Sequence, residues 1–227
     1  MRAVLRRHVV ERCIYGVDLD PLAVELCRLS LWIETMDRDL PFSFLDHKIK
    51  PGNSLVGAWF DQFMHYPAMA WKRDGGDSSH TNGVHFGRNE QSKAIKEFMK
   101  TVVTPDLVET IERGGRQLLL FKDNEGTEKS AAEMHQEAFE ALRKIHELPV
   151  HEAAERERLY HELVESEGWC KLKRAFDAWC AVWFWPADDL EHAPLPSNFH
   201  DLPADTAERV DAIAQEKSFF HWELEFP

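Results

Sequence analysis

Two short stretches carry polar groups at positions where a nucleotide-like ligand could be held. In Cys13-Ile14-Tyr15-Gly16-Val17-Asp18-Leu19-Asp20-Pro21, a brief apolar run ends on an acid just before a helical pattern. Ligands of open α/β sheets sit outside the carboxyl ends of the strands, where an acid can accept two hydrogen bonds from a ribose diol. Asp18 is equally compatible with a plain turn into a helix capped by Asp20. In Pro51-Gly52-Asn53-Ser54-Leu55-Val56-Gly57, the Asn53 amide could read the polar edge of an adenine lying across the strand ends. The same Gly-Asn pair also suits an ordinary turn in which Asn53 bonds its own backbone.

The histidines raise the question of a metal. His146-Glu147-Leu148-Pro149-Val150-His151 has the spacing HExxxH, and Pro149 breaks the helix that would align two ligands. His80 and His85 fall in a glycine-rich stretch without a rigid supporting shell. No metal site is expected. Neither a GxGxxG nor a GxxxxGK phosphate loop occurs, and there is no serine nucleophile elbow.

Positioning these residues requires a strand, a tight turn and a helix. Asp20 suits an N-cap and Pro21 the first helical position, where its missing N–H costs nothing. Leu22, Leu26, Leu29 and Ile33 then recur at helical spacing. Residues 1–12 read as the end of a preceding helix, Cys13 as a strand residue, and 51–57 as a short strand emptying into a turn. Residues 72–89 hold Gly75, Gly76, Gly83 and Gly87 among polar residues and read as a flexible loop. Beyond it the period is helical, with candidates at 90–103, 105–113, 127–148, 151–167, 169–185 and, capped by Asp205, up to 217. The helix at 169–185 is tryptophan-rich. It suits core packing better than base stacking, because its apolar positions follow one face. In the tail, Phe220, Trp222, Leu224 and Phe226 alternate with His221, Glu223 and Glu225, the pattern of a half-buried strand.

The chain is therefore expected to divide into an α/β part at 1–58, a mainly helical insertion at 59–217, and a strand at 218–227 returning to the first part. Apolar residues make up 44% and charged residues 30% of the 227 positions, an ordinary globular balance. The net charge of −13 is the wrong sign for a freestanding nucleic-acid binder, which needs cations to neutralise phosphates. No apolar run reaches membrane-spanning length, so no membrane partner is expected. Cys13, Cys27, Cys170 and Cys180 form no CxxC pair, and buried free thiols in a reducing cytoplasm are expected.

Ile14 to Leu26, together with Phe44-Leu45-Asp46-His47 and Gly52 to Gly57, resembles the S-adenosylmethionine-binding half of large adenine-specific DNA methyltransferases. These are the enzymes of type IIG restriction-modification and of the related BREX and DISARM phage-defence systems. Phe176 to Pro186 and Phe220 to Pro227 extend the resemblance toward the end of the chain. It implies a partial Rossmann-like methyltransferase core with a large α-helical insertion. Asp18 would then bind the ribose hydroxyls of S-adenosyl-L-methionine, Leu19 would pack on its adenine, and Asn53, with Ser54 adjacent, would meet the adenine's amino edge. The family's first glycine-containing motif and its Asn-Pro-Pro-Tyr motif do not occur here. The resemblance thus implies an internal fragment or one piece of a split enzyme, inactive alone, meeting DNA through parts this chain lacks. Its partners would be flanking methyltransferase segments or a defence-system subunit. The alternative is a truncated, non-catalytic helical module that binds a partner.

Overall fold

The computed structural model describes residues 2–35, 45–67, 88–114, 120–122, 128–149, 152–186 and 189–226. The chain opens with α1 (Arg2–Cys13), β1 (Gly16–Asp18), α2 (Pro21–Thr35) and β2 (Ile49–Pro51). β1 and β2 pair in parallel, with Gly16 opposite Ile49, Val17 opposite Lys50 and Asp18 opposite Pro51. Strand, crossover helix and parallel strand make one βαβ unit. The expected start of α2 is observed: the Leu22 N–H donates to Asp20 Oδ1 at 2.9 Å, and Pro21 is the first helical residue. Cys13, expected in a strand, is instead the last residue of α1, and the strand waits for Gly16. The second strand also comes earlier than expected, at 49–51, and residues 52–57 form the turn after it.

α2 is fixed to β2 by Arg28, whose Nε and Nη2 donate to the Ile49 carbonyl while Nη1 pairs with Asp46. The helix does not present the face its sequence suggests. Val24 and Thr35 are buried, whereas Leu22, Leu26, Leu29 and Ile33 are 45–64% exposed. The aliphatic stripe is present in the sequence, but it lies on the exposed side of α2.

The remaining described chain is mainly helical. α3 (Arg88–Phe98) continues through a π-helical turn (Met99–Val103) into α4 (Thr104–Gly114). The two expected helices are thus joined into one continuous helical run, with Pro105 directly after the π-helical turn and Thr104. A small antiparallel pair, β3 (Leu120–Lys122) and β4 (Glu128–Ser130), leads into α5 (Ala131–Glu147). Ser130 caps α5: its Oγ accepts the Glu133 N–H, and the Glu133 carboxylate accepts the Ser130 N–H. α6 (Ala153–Val164), α7 (Glu167–Phe184) and α8 (Ala204–Lys217) follow. Asp205 lies in the first turn of α8 rather than capping it, and the N-cap position belongs to Pro203.

α7 is the centre of the core. Leu172, Ala175, Phe176, Ala178, Ala181 and Val182 are fully buried, and Phe63, Phe60 and His221 pack on Phe176. The tryptophan-rich helix is thus a packing element, as expected. Trp185 is also fully buried and satisfies its indole N–H on the Asp189 carbonyl at 2.7 Å.

The tail departs from expectation. Instead of a strand at 218–227, the structure has an isolated parallel bridge between Phe219 and Asn53, then the short helix α9 (Trp222–Glu225). His221, expected on a solvent side, is completely buried. The alternation fails because a helical turn lets Trp222 and Phe226 meet at 5.7 Å and join Phe220, while the Leu224 and Glu225 N–H groups bond the His221 carbonyl. Lys50 tethers this turn through the Glu225 carboxylate (2.7 Å) and carbonyl (2.9 Å). The boundaries of the expected loop fall mostly outside the described residues: 72–87 are not described, and Arg88 and Asn89 open α3. The four cysteines are free, but only Cys180 is buried; Cys13, Cys27 and Cys170 are exposed.

Candidate ligand site at the strand ends

β1 and β2 end together, joined by the Gly52 N–H donating to the Asp18 carbonyl at 2.8 Å. Asp18 is exposed, and its Oδ1 accepts the Asp20 N–H at 2.9 Å, which orients the carboxylate at the strand tip. Leu19, next along, is 60% exposed. An apolar side chain beside an oriented acid can flank a flat ring while the acid holds a polyol.

Across the strand tips, Asn53 has its side chain engaged. Its Oδ1 accepts the Leu55 N–H at 3.1 Å, and its Nδ2 donates to the Lys217 carbonyl at 3.4 Å. The turn reading of Gly52-Asn53 is therefore observed. Ser54 is exposed, and its carbonyl accepts the Trp222 indole N–H at 3.0 Å. The turn is sewn to the tail by further bonds: the Asn53 N–H to Ser218, the Phe220 N–H to Val56, and the Ala58 N–H to His221 Nδ1. Gly57 permits this contact, since a Cβ there would lie 2.0 Å from the Phe220 carbonyl oxygen.

A cavity of about 380 Å³ opens at these strand ends, a size in the range of small-molecule sites. Leu19, Pro21, Pro51 and Gly52 line one side. The other side comes from Lys173 and Asp177 on α7, and from Asp211, Ala214 and Gln215 on α8 with Ser218 and Phe219 beyond. Of the sequence-derived candidates, Leu19 lines the cavity. Asp18 and Asn53 each neighbour a lining residue in the chain, and Ser54 lies one residue further on.

The α7 and α8 residues were missed by sequence reasoning. Asp177 carried the one available signal, an acid on the buried face of a tryptophan-rich helix. It is 5% exposed and joins two partners: Lys173 Nζ at 2.7 Å and His221 Nε2 at 2.9 Å. Because Nδ1 of His221 accepts the Ala58 N–H, Nε2 carries the proton donated to Asp177. Burial pushes the Asp177 carboxyl up, but the His221 bond and the Lys173 charge outweigh it and hold the group below its usual range.

A second polar cluster lies where β2 meets α5 and α6. His47 is buried with its ring 5.3 Å from that of His146, and Lys48 Nζ sits 3.9 Å over the Tyr15 ring. Burial, then the charges of His146, Arg156, Lys48 and Lys50, lowers His47 to about 2. Burial and the Lys48, Arg156, Arg12 and Lys50 charges lower His146 to about 4. Imidazoles crowded by cations are poor metal ligands in charge terms. The Asp189, Glu191 and His192 side chains approach one another on the surface, where Asp189 also pairs with Arg209.

The sequence profile of one protein family, Eco57I restriction-modification methylase, matches residues 12–227. The chain belongs to the Eco57I restriction-modification methylase family. No curated protein and no solved structure matches it. Membership makes this a restriction-modification type of DNA methyltransferase sequence. No helix among the described residues is long and apolar enough to cross a membrane.

Proposed function

We propose that the chain is the cofactor-binding part of an adenine-specific DNA methyltransferase, which moves a methyl group from S-adenosylmethionine to the exocyclic amine of adenine in DNA. The setting would be restriction-modification or phage defence, in the cytoplasm. The observation that carries the reading is the cavity at the β1 and β2 carboxyl ends, lined by Leu19, the residue after Asp18, in a chain of a methylase family. Its βαβ unit would belong to a Rossmann-like core, whose ligands lie at that edge of the sheet.

The residues present suit the cofactor. Asp18 offers a carboxylate oriented by its own turn to a ribose diol, and Leu19 offers an exposed apolar surface to a flat base. Asn53 and Ser54 would border the base from the turn after β2, with Asn53 keeping its bonds to that turn. S-adenosylmethionine supplies the transferable methyl on a sulfonium. This chain's part is to bind and orient the nucleoside and to exclude water from one side of it. No Asn in the chain is followed by Pro, and the orienting of a flipped-out adenine amine is assigned to another segment. Flanking methyltransferase segments or a defence-system subunit would complete the site and carry the DNA contacts.

The alternative is a non-catalytic helical module that binds a partner, and the exposed Leu22, Leu26, Leu29 and Ile33 of α2 favour it. Methyl transfer separates the two. With radiolabelled S-adenosylmethionine, the chain co-expressed with its flanking segments is expected to label duplex DNA containing adenine, and Asp18→Ala to reduce that labelling at least tenfold. Labelling of cytosine in place of adenine would overturn the specificity. Labelling indifferent to Asp18→Ala would overturn the site.

A further inference from the structure

The cavity at the strand ends has two walls, and only one comes from the βαβ unit. The far wall is built from two i,i+4 polar pairs on packed helices: Lys173 with Asp177 on α7, and Asp211 with Gln215 on α8. The Asn53 amide, the group that sequence reasoning set against the base, is engaged by the Leu55 N–H and the Lys217 carbonyl. We infer that Asp211 and Gln215 of the helical insertion read the amino edge of the cofactor's adenine, making α8 a specificity-determining part of the nucleoside site. The inference rests on the cofactor reading above and extends it to residues that no sequence motif marks.

The chemistry of the wall decides which edge it recognises. Lys173 Nζ is held by Asp177 at 2.7 Å, so that cation and one acid offset each other. Asp211 adds a carboxylate whose nearest cation in an ion pair, Arg174 Nη2, is 3.7 Å away. The wall therefore carries an excess of acceptor character. It favours a ring edge that presents an N–H donor, as the exocyclic amine of adenine does, and disfavours a carbonyl in the same place. One turn further along α8, the Gln215 amide offers both a donor and an acceptor, and its NH₂ can meet an adjacent ring nitrogen. Leu19, Pro51 and Phe219 supply apolar surface between the polar groups, suited to the faces of a purine. Ser218, which also lines the cavity, has φ 54°, a left-handed conformation that turns the chain from α8 toward Asn53.

The test compares two ligands that differ at that edge. S-adenosylhomocysteine carries the amine, and S-inosylhomocysteine carries a carbonyl in its place. By calorimetry, the chain is expected to bind the adenosyl ligand on the order of tenfold more tightly, the loss typical of one unmade hydrogen bond. Asp211→Ala and Gln215→Ala are expected to remove most of that preference. Asp211 is 55% exposed, so its truncation leaves the fold intact. Asp18→Ala is expected to weaken both ligands together and leave the preference unchanged. Binding that depends on Asp18 but keeps its full preference in both α8 variants would overturn the role of α8 alone. Failure of the chain to bind either ligand would overturn the cofactor reading together with it.

Discussion

At the scale of single residues, burial has changed what the polar side chains can do. His47 is 1% exposed and is held neutral by burial and by the cations around it. In the unfolded chain the same imidazole takes up a proton near its ordinary value of 6.5. Below that pH the unfolded state binds more protons than the folded one, so stability present above pH 6.5 is lost as the pH falls toward 2. The slope is at most about 1.4 kcal/mol per pH unit for one imidazole. His146 acts in the same direction. Asp177, held low in the folded state, adds to the loss only in the carboxylate range. The melting temperature is therefore expected to fall already between pH 6.5 and 5, and His47→Gln to flatten that part of the profile. A melting temperature constant from pH 7.5 to 5 would contradict this account of the cluster.

At the scale of elements, α2 shows how a pattern can be present and still mislead. Its spacing marks Leu22, Leu26, Leu29 and Ile33 as a core face, yet Val24 is the aliphatic residue it buries, at 1% exposure. Val24→Ala is expected to destabilise on the order of 1.5–3 kcal/mol, the value of a buried aliphatic side chain. Leu26→Ala is expected to stay within about 0.5 kcal/mol. Chemical denaturation of the two variants decides between the faces, and a larger loss for Leu26→Ala would reverse the assignment. The start of α2 was legible because capping is local: Asp20 and Pro21 act on neighbouring N–H groups. The α5, α6 and α7 helices were legible from periodicity for the same reason. The tail was not, because its conformation is set by partners far along the chain. His221 is fixed by Asp177 and Ala58, and Lys50 by Glu225, contacts that no local pattern records. The far wall of the cavity was illegible on the same grounds, since Asp211 and Gln215 read as ordinary polar residues of a surface helix until α8 is seen against the strand ends.

At the scale of the whole molecule, charge and cavity point to a division of labour. A net charge of −13 opposes association with phosphates. The chain alone is therefore expected to show no binding to duplex DNA at micromolar concentration in physiological salt, as read by anisotropy. Micromolar binding that weakens steeply with salt would show a phosphate-gripping surface that the charge balance argues against. What the chain offers is a βαβ unit whose strand ends meet a helical wall, with Asp18 at the tip of β1 and Leu19 on the cavity. The most direct measurement of that claim is calorimetric titration of S-adenosylmethionine into the chain and into Asp18→Ala. Saturable binding by the parent chain is predicted, weakened in the variant by on the order of 1.5–3 kcal/mol, the value of hydrogen bonds to a charged acceptor. Equal affinity in the two proteins, or no binding by the parent, would contradict the site.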